Sequence, residues 1–147
     1  MFQGTFNHTI DAKGRVSIPS KFREVLREKY SEEVVLTRDP DKCLVAYPLA
    51  EWNVLVEKLK QLSNLDEDQK KARRYLLSFA EKCALDKTGR ILIPPMLREH
   101  AHLEKDVFIT GNSDTFEIWD KKVWEEYNKD MPDVFKNIKE KLERIGL

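Results

Sequence analysis

Asp11-Ala12-Lys13-Gly14-Arg15-Val16-Ser17-Ile18-Pro19-Ser20-Lys21-Phe22-Arg23-Glu24 returns 75 residues later as Asp86-Lys87-Thr88-Gly89-Arg90-Ile91-Leu92-Ile93-Pro94-Pro95-Met96-Leu97-Arg98-Glu99. Seven of the 14 positions are identical, and Val16/Ile91 and Phe22/Leu97 exchange one apolar residue for another. The turn glycine, the apolar positions and the charges therefore keep their spacing together, which marks an internal duplication.

Within each copy the pattern is that of strand, turn and strand. Apolar and polar residues alternate through Phe6-Asn7-His8-Thr9-Ile10, Asp11 to Gly14 supply turn chemistry, and Arg15 to Ile18 resume the alternation. This predicts a hairpin, with Gly14 and Gly89 taking the positive backbone dihedral that fixes where the chain reverses. In the second strand Val16 and Ile18 share one face while Arg15 and Ser17 share the other, so the arginine lies opposite the core. The same parity sets Arg90 opposite Ile91 and Ile93. Pro19 and Pro94 end that strand and suit entry into a short helix, with Phe22, Val25 and Leu26 on one side in the first copy and Leu97 and Ala101 in the second.

The likeness continues downstream. Val34-Val35-Leu36-Thr37 matches Val107-Phe108-Ile109-Thr110, Leu44-Val45-Ala46-Tyr47 matches Phe116-Glu117-Ile118-Trp119, and Trp52 keeps step with Trp124. Two more strands per copy follow, joined by turns at Asp39-Pro40-Asp41 and Gly111-Asn112-Ser113-Asp114. The organisation predicted is one domain over residues 1–147, with repeats at 5–52 and 81–124, connecting helices over 53–80 and a helical tail over 125–147. Trp52, Leu55, Val56, Leu59 and Leu62 recur at helical spacing, and Asp66 with Gln69 resembles a capping box before Ala72, Tyr75, Leu76 and Phe79. The tail carries Val123, Trp124 and Tyr127, then Phe135, Ile138, Leu142 and Ile145 as a narrow stripe that suits docking on its own domain or on a neighbouring subunit.

A chain of 147 residues with 41% apolar residues supports one core, which the two copies are expected to share, since either alone buries too little. The net charge is zero, which argues against a protein that grips nucleic acid over its whole surface. The duplicated stretches are locally basic: six cations against three anions from Asp11 to Lys29, and four against two from Lys82 to His100. Cys43 and Cys83 lack the spacing of a zinc or redox motif and read as small core residues. No signal peptide or membrane-length apolar run is visible, so a soluble, intracellular protein is expected.

Arginine offers a planar fork of donors that fits guanine's major-groove acceptors or a phosphate. On spacing alone Arg15 and Arg90 serve equally to fasten each hairpin by pairing with Asp11 and Asp86. The two roles coexist if the carboxylate holds the guanidinium while its other donors face outward. Lys13 and Lys87, at the hairpin tips, would extend the positive strip toward phosphates; Lys21, Arg23 and Arg98 are weaker candidates. Lys70-Lys71-Ala72-Arg73-Arg74 reads as a solvated helix face. His100 and His102 lack partners for a metal site, and no nucleophile and base or phosphate-binding loop suggests an enzyme or a cofactor.

With two Asp-x-x-x-Arg motifs, Asp11 to Arg15 and Asp86 to Arg90, and a Met-Phe-x-Gly-x-Phe start, the chain resembles the MraZ family of bacterial regulators. That family is built from two AbrB-like (SpoVT-AbrB) DNA-binding modules. The resemblance implies an α+β fold in which two pseudo-symmetric repeats interleave their hairpins into one swapped-hairpin β-barrel, with additional helices after each repeat. It implies contact with double-stranded DNA through Arg15 and Arg90, with Asp11, Gly14, Asp86 and Gly89 as structural motif residues. It further implies a head-to-tail homo-oligomeric ring on short direct repeats in the promoter of a cell-division and cell-wall gene cluster, in the cytoplasm at the nucleoid. No cofactor, small-molecule substrate or membrane partner is implied. A rival of another class is a protein-interaction oligomer whose Asp/Arg hairpins serve only assembly. An RNA-binding module is a lesser rival, since no aromatic side chain stands beside the arginines to stack an unpaired base.

Overall fold

The computed structural model describes all 147 residues. The first strand, β1 (Thr5–Thr9), runs into the Asp11–Gly14 turn, from which β2 (Arg15–Ser17) departs. Pro19 sets the entry of α1 (Ser20–Lys29), and β3 (Glu33–Asp39) and β4 (Cys43–Pro48) follow. A helical pair, α2 (Leu49–Leu59) and α3 (Glu67–Leu77), crosses to the second half. There the order recurs as β5 (Glu81–Ala84), β6 (Arg90–Leu92), α4 (Pro95–His100), β7 (Asp106–Asn112), β8 (Thr115–Asp120) and α5 (Lys121–Asn128). Two short helices, α6 (Met131–Asn137) and α7 (Lys139–Glu143), end the chain.

The fold is α+β with antiparallel pairing throughout, in a six-stranded sheet of order β1-β7-β8-β4-β3-β5 and a separate two-stranded ribbon of β2 and β6. The predicted hairpins β3–β4 and β7–β8 form. The first predicted hairpin of each half differs from expectation. Its turn closes, with Asp11 N donating to Arg15 O at 3.0 Å and Asp86 N to Arg90 O at 2.8 Å, but the strands on either side then part. β1 pairs with β7 and β2 with β6, each in the other half of the sequence, while β5 pairs with β3. The strand ladder is open, ending at β1 and β5.

The registers repeat across the halves. His8 faces Val107 and Cys83 faces Val34; Leu44 faces Ile118 and Ala46 faces Phe116; Val16 and Ile91 face each other at the centre of the ribbon. Ile18 N donates to Gly89 O and Ile93 N to Gly14 O, both at 2.9 Å, so the ribbon ties each turn to the other half.

One core lies between the sheet, the ribbon, α1 and α4, drawing on both halves: Val16, Ile18, Phe22 and Leu26 from the first meet Ile91, Ile93, Leu97 and Ala101 from the second. Where matched positions differ in size the difference is compensated, Leu26 against Ala101 and Ala46 against Ile118, which keeps the volume filled. Phe2 is 1% exposed and its ring stands 5.2 Å from those of Phe22 and Phe116, so the chain start is a core element. At about 1.5–3 kcal/mol for each large apolar side chain buried, such a shared core dominates the stability.

Each half is flanked by its tryptophan. Trp52 packs edge-on to Tyr47 and Trp124 edge-on to Trp119, each with ring centroids 5.4 Å apart. Thr37 Oγ1 donates to Leu76 O at 2.5 Å, and the Arg38 guanidinium lies between the rings of Tyr75 and Phe79, fastening α3 to β3. The capping box of α3 is half formed: Asp66 accepts from Gln69 N at 3.0 Å, but Gln69 Oε1 accepts from Ser63 N instead of Asp66 N. Cys43 and Cys83 are buried and unpaired, and burial pushes the Cys83 thiol up to about 11. No helix is long and apolar enough to cross a membrane.

Candidate nucleic-acid interface

Each Asp-to-Arg turn is built around its carboxylate. Asp11 Oδ1 accepts from Lys13 N and Arg15 N, both at 2.9 Å, and Oδ2 accepts from Arg15 Nε at 2.7 Å. Asp86 repeats the arrangement, Oδ1 accepting from Thr88 N and Arg90 N at 2.9 Å and Oδ2 from Arg90 Nε at 3.0 Å. Thr88 Oγ1 adds a bond to Oδ1 at 2.9 Å that Lys13 cannot supply to Asp11.

The carboxylate engages Nε, so both terminal nitrogens of each guanidinium stay free of partners within the chain. The arginine side chains are 33% and 34% exposed, on the strand face opposite the buried Val16 and Ile91. A carboxylate held by several N–H donors favours its charged form. The Arg15 backbone N–H foremost, with the Arg15 side chain and the Lys13 N–H, keeps Asp11 below the usual carboxylate range. The corresponding bonds, led by the Arg90 backbone N–H, bring Asp86 to about 2.

Gly14 and Gly89 have φ of +88° and +79°, where a side chain is strained. Across each glycine lies an arginine from the opposite half. A Cβ at Gly14 would meet the Arg98 guanidinium carbon at 2.7 Å, and one at Gly89 would collide with the Arg23 guanidinium. Both Nε atoms of this second pair are buried without a hydrogen-bond partner. The charge of Arg23, after burial, also depresses the basicity of His8.

The two turns are thus brought together by the β2–β6 ribbon, each with one carboxylate-held arginine and one arginine lying over its glycine. Lys13 and Lys87 are exposed at the tips beside them. Sequence reasoning ranked Arg23 and Arg98 low, because it assigned each to its own short helix and could not see which turn it covers. The signal was present in the duplication, where the two arginines are among the identities. Lys21 is exposed on α1, and Lys71, Arg73 and Arg74 belong to α3. His100 accepts a structural role through a 2.8 Å bond between Nε2 and Asp39 O. Net, this surface displays two rigid sets of unsatisfied guanidinium donors, an arrangement suited to anions and base edges.

A family model described as "MraZ protein, putative antitoxin-like" matches residues 1–75 and again 76–144. The chain is 49% identical over its full length, and that of its relative, to "Transcriptional regulator MraZ" of Caldanaerobacter subterraneus subsp. tengcongensis. The protein of the same name from Thermoanaerobacter sp. is 48% identical over the whole of both chains. That from Syntrophobacter fumaroxidans is 43% identical over 99% of this chain and 97% of its own. With a doubled family match in step with the doubled turn and full-length relatives of one name, the chain belongs to the MraZ family.

Proposed function

We propose that the chain is a sequence-specific DNA-binding transcriptional regulator that reads short direct repeats in the promoter of a cell-division and cell-wall gene cluster, assembled as a multimeric ring. The observation that carries DNA contact is the repeated geometry at Asp11–Arg15 and Asp86–Arg90. Each carboxylate spends one donor of its arginine on positioning and leaves the terminal pair for a partner. Arg15 and Arg90 contact bases or phosphates, Lys13 and Lys87 the backbone, and Asp11, Gly14, Asp86 and Gly89 shape the turns. The names of the full-length relatives support regulation of transcription.

In this reading the two halves are AbrB-like modules interleaved as a swapped-hairpin barrel. The exchange of β1, β2, β5 and β6 between halves supports it. Two turns per chain bind weakly, and linking several chains in fixed geometry raises the effective concentration of the remaining turns once one is seated. The working site is the nucleoid in the cytoplasm.

The test is the double substitution Arg15→Ala with Arg90→Ala, read by binding to a promoter duplex and by light scattering on a sizing column. Binding falls by about 1–3 kcal/mol per arginine in contact while assembly size is unchanged. If the assembly falls apart instead, the arginines serve protein association, a reading that the zero net charge favours.

A further inference from the structure

The loop between α2 and α3 presents a leucine to solvent in a fixed frame. Leu65 is 98% exposed. The loop around it is pinned: Ser63 Oγ accepts from Leu65 N at 3.0 Å and Asp66 N at 3.3 Å, and Ser63 N donates to Gln69 Oε1 at 2.8 Å. Arg73 donates to Leu62 O and to Asn64 Oδ1. A side chain ordered in advance loses little further freedom on docking.

At the other end of the chain, Tyr127, Met131, Val134, Phe135 and Ile138 line an apolar cleft of about 350 Å³. Phe135 is 62% exposed, and no element of the chain covers the tail stripe that the sequence left open between two docking modes. Contiguous apolar surface of this kind marks an interaction site where a single exposed residue does not.

We propose that the Leu65 tip of one copy seats in the Phe135 cleft of a second copy, forming a head-to-tail interface. Charge complementarity selects this occupant. Asp66, Glu67 and Asp68 follow the leucine directly, while Lys136, Lys139, Lys141 and Arg144 flank the cleft, and none of these four cations forms an ion pair within the chain. Topology agrees. The tip follows the helix of Trp52 and the cleft follows the helix of Trp124, so they stand on corresponding flanks of the two halves yet differ in shape. An interface between unlike surfaces propagates from copy to copy and closes as a ring when the rotation permits, with the turns of all copies facing alike. The interface rests on the self-association part of the function proposed above.

The experiment pairs Leu65→Asp with Phe135→Asp in the full chain, read by light scattering on a sizing column, with circular dichroism as a check of folding. Both positions are exposed, so each variant retains the wild-type spectrum. The wild type is a multimer and each variant alone a monomer. An equimolar mixture gives a one-to-one pair and nothing larger, because each variant keeps the surface the other has lost. A multimeric wild type whose Leu65→Asp variant remains multimeric overturns this interface and leaves self-association standing. A monomeric wild type overturns both.

Discussion

The central device is one carboxylate serving two purposes. Oδ1 of Asp11 or Asp86 holds the turn's backbone, and Oδ2 holds Nε of the arginine four residues on. Lysine could supply the charge but not an anchor donor together with a separate presenting pair, so Arg15→Lys and Arg90→Lys weaken duplex binding although net charge is kept. The same bonds set an acid sensitivity. The folded Asp86 sits at about 2, below the ordinary value of about 3.9 for an unfolded aspartate. Its contribution to stability is therefore fully present above about pH 4 and is lost as the pH falls toward the folded value. Asp11, also depressed, acts in the same sense. Denaturant midpoints measured through this range decline for the wild type and flatten for Asp86→Asn. A wild-type curve as flat as the variant's would show that the turn carboxylate is not engaged. Between pH 5 and 8 both aspartates stay charged, so they leave DNA affinity unchanged with pH there.

At the scale of elements, the chain start behaves as a core strand. Phe2 N donates to Ser113 O at 2.8 Å and Ser113 N to Phe2 O at 3.0 Å, and Gly111 lies against the backbone of Phe2 and Gln3 with no room for a Cβ. Phe2→Ala should cost about 3–5 kcal/mol, the range for a buried phenylalanine. Gly111→Ala should exceed Gly14→Ala, where the left-handed backbone costs roughly 1–2 kcal/mol and the obstructing Arg98 can swing aside. Chemical denaturation of the three variants checks the order, and equal losses would mean that the Gly111 crossing yields freely. These positions also mark what the sequence could reveal. Alternation in Phe6 to Ile10 and Arg15 to Ile18 identifies strands, and parity places Arg15 opposite Val16. Alternation says nothing of partners, so an adjacent hairpin was the natural expectation for β1 and β2, whereas each pairs across the halves. Gly111 read as turn chemistry, although its smallness is required by a segment more than a hundred residues earlier. Arg23 over Gly89 was hidden for the same reason, since contacts between distant segments leave no local pattern.

For the whole molecule, the exchange of strands makes the halves interdependent and holds the two turns side by side on one ribbon, so the DNA-facing geometry is as stable as the core beneath it. Zero net charge then becomes intelligible: attraction for DNA is confined to the turns, and the remaining surface is left for contacts between copies. The most direct measurement is the dependence of promoter-duplex affinity on salt for the wild type and for the Arg15→Ala, Arg90→Ala double variant, at matched assembly size. Each phosphate contact contributes about −0.9 to the slope of log affinity against log salt. Steep loss of wild-type affinity with added salt, together with weaker binding and a shallower slope in the variant, is the predicted result; a variant that binds as tightly as the wild type, with the same slope, would contradict the assignment of the two turns to DNA.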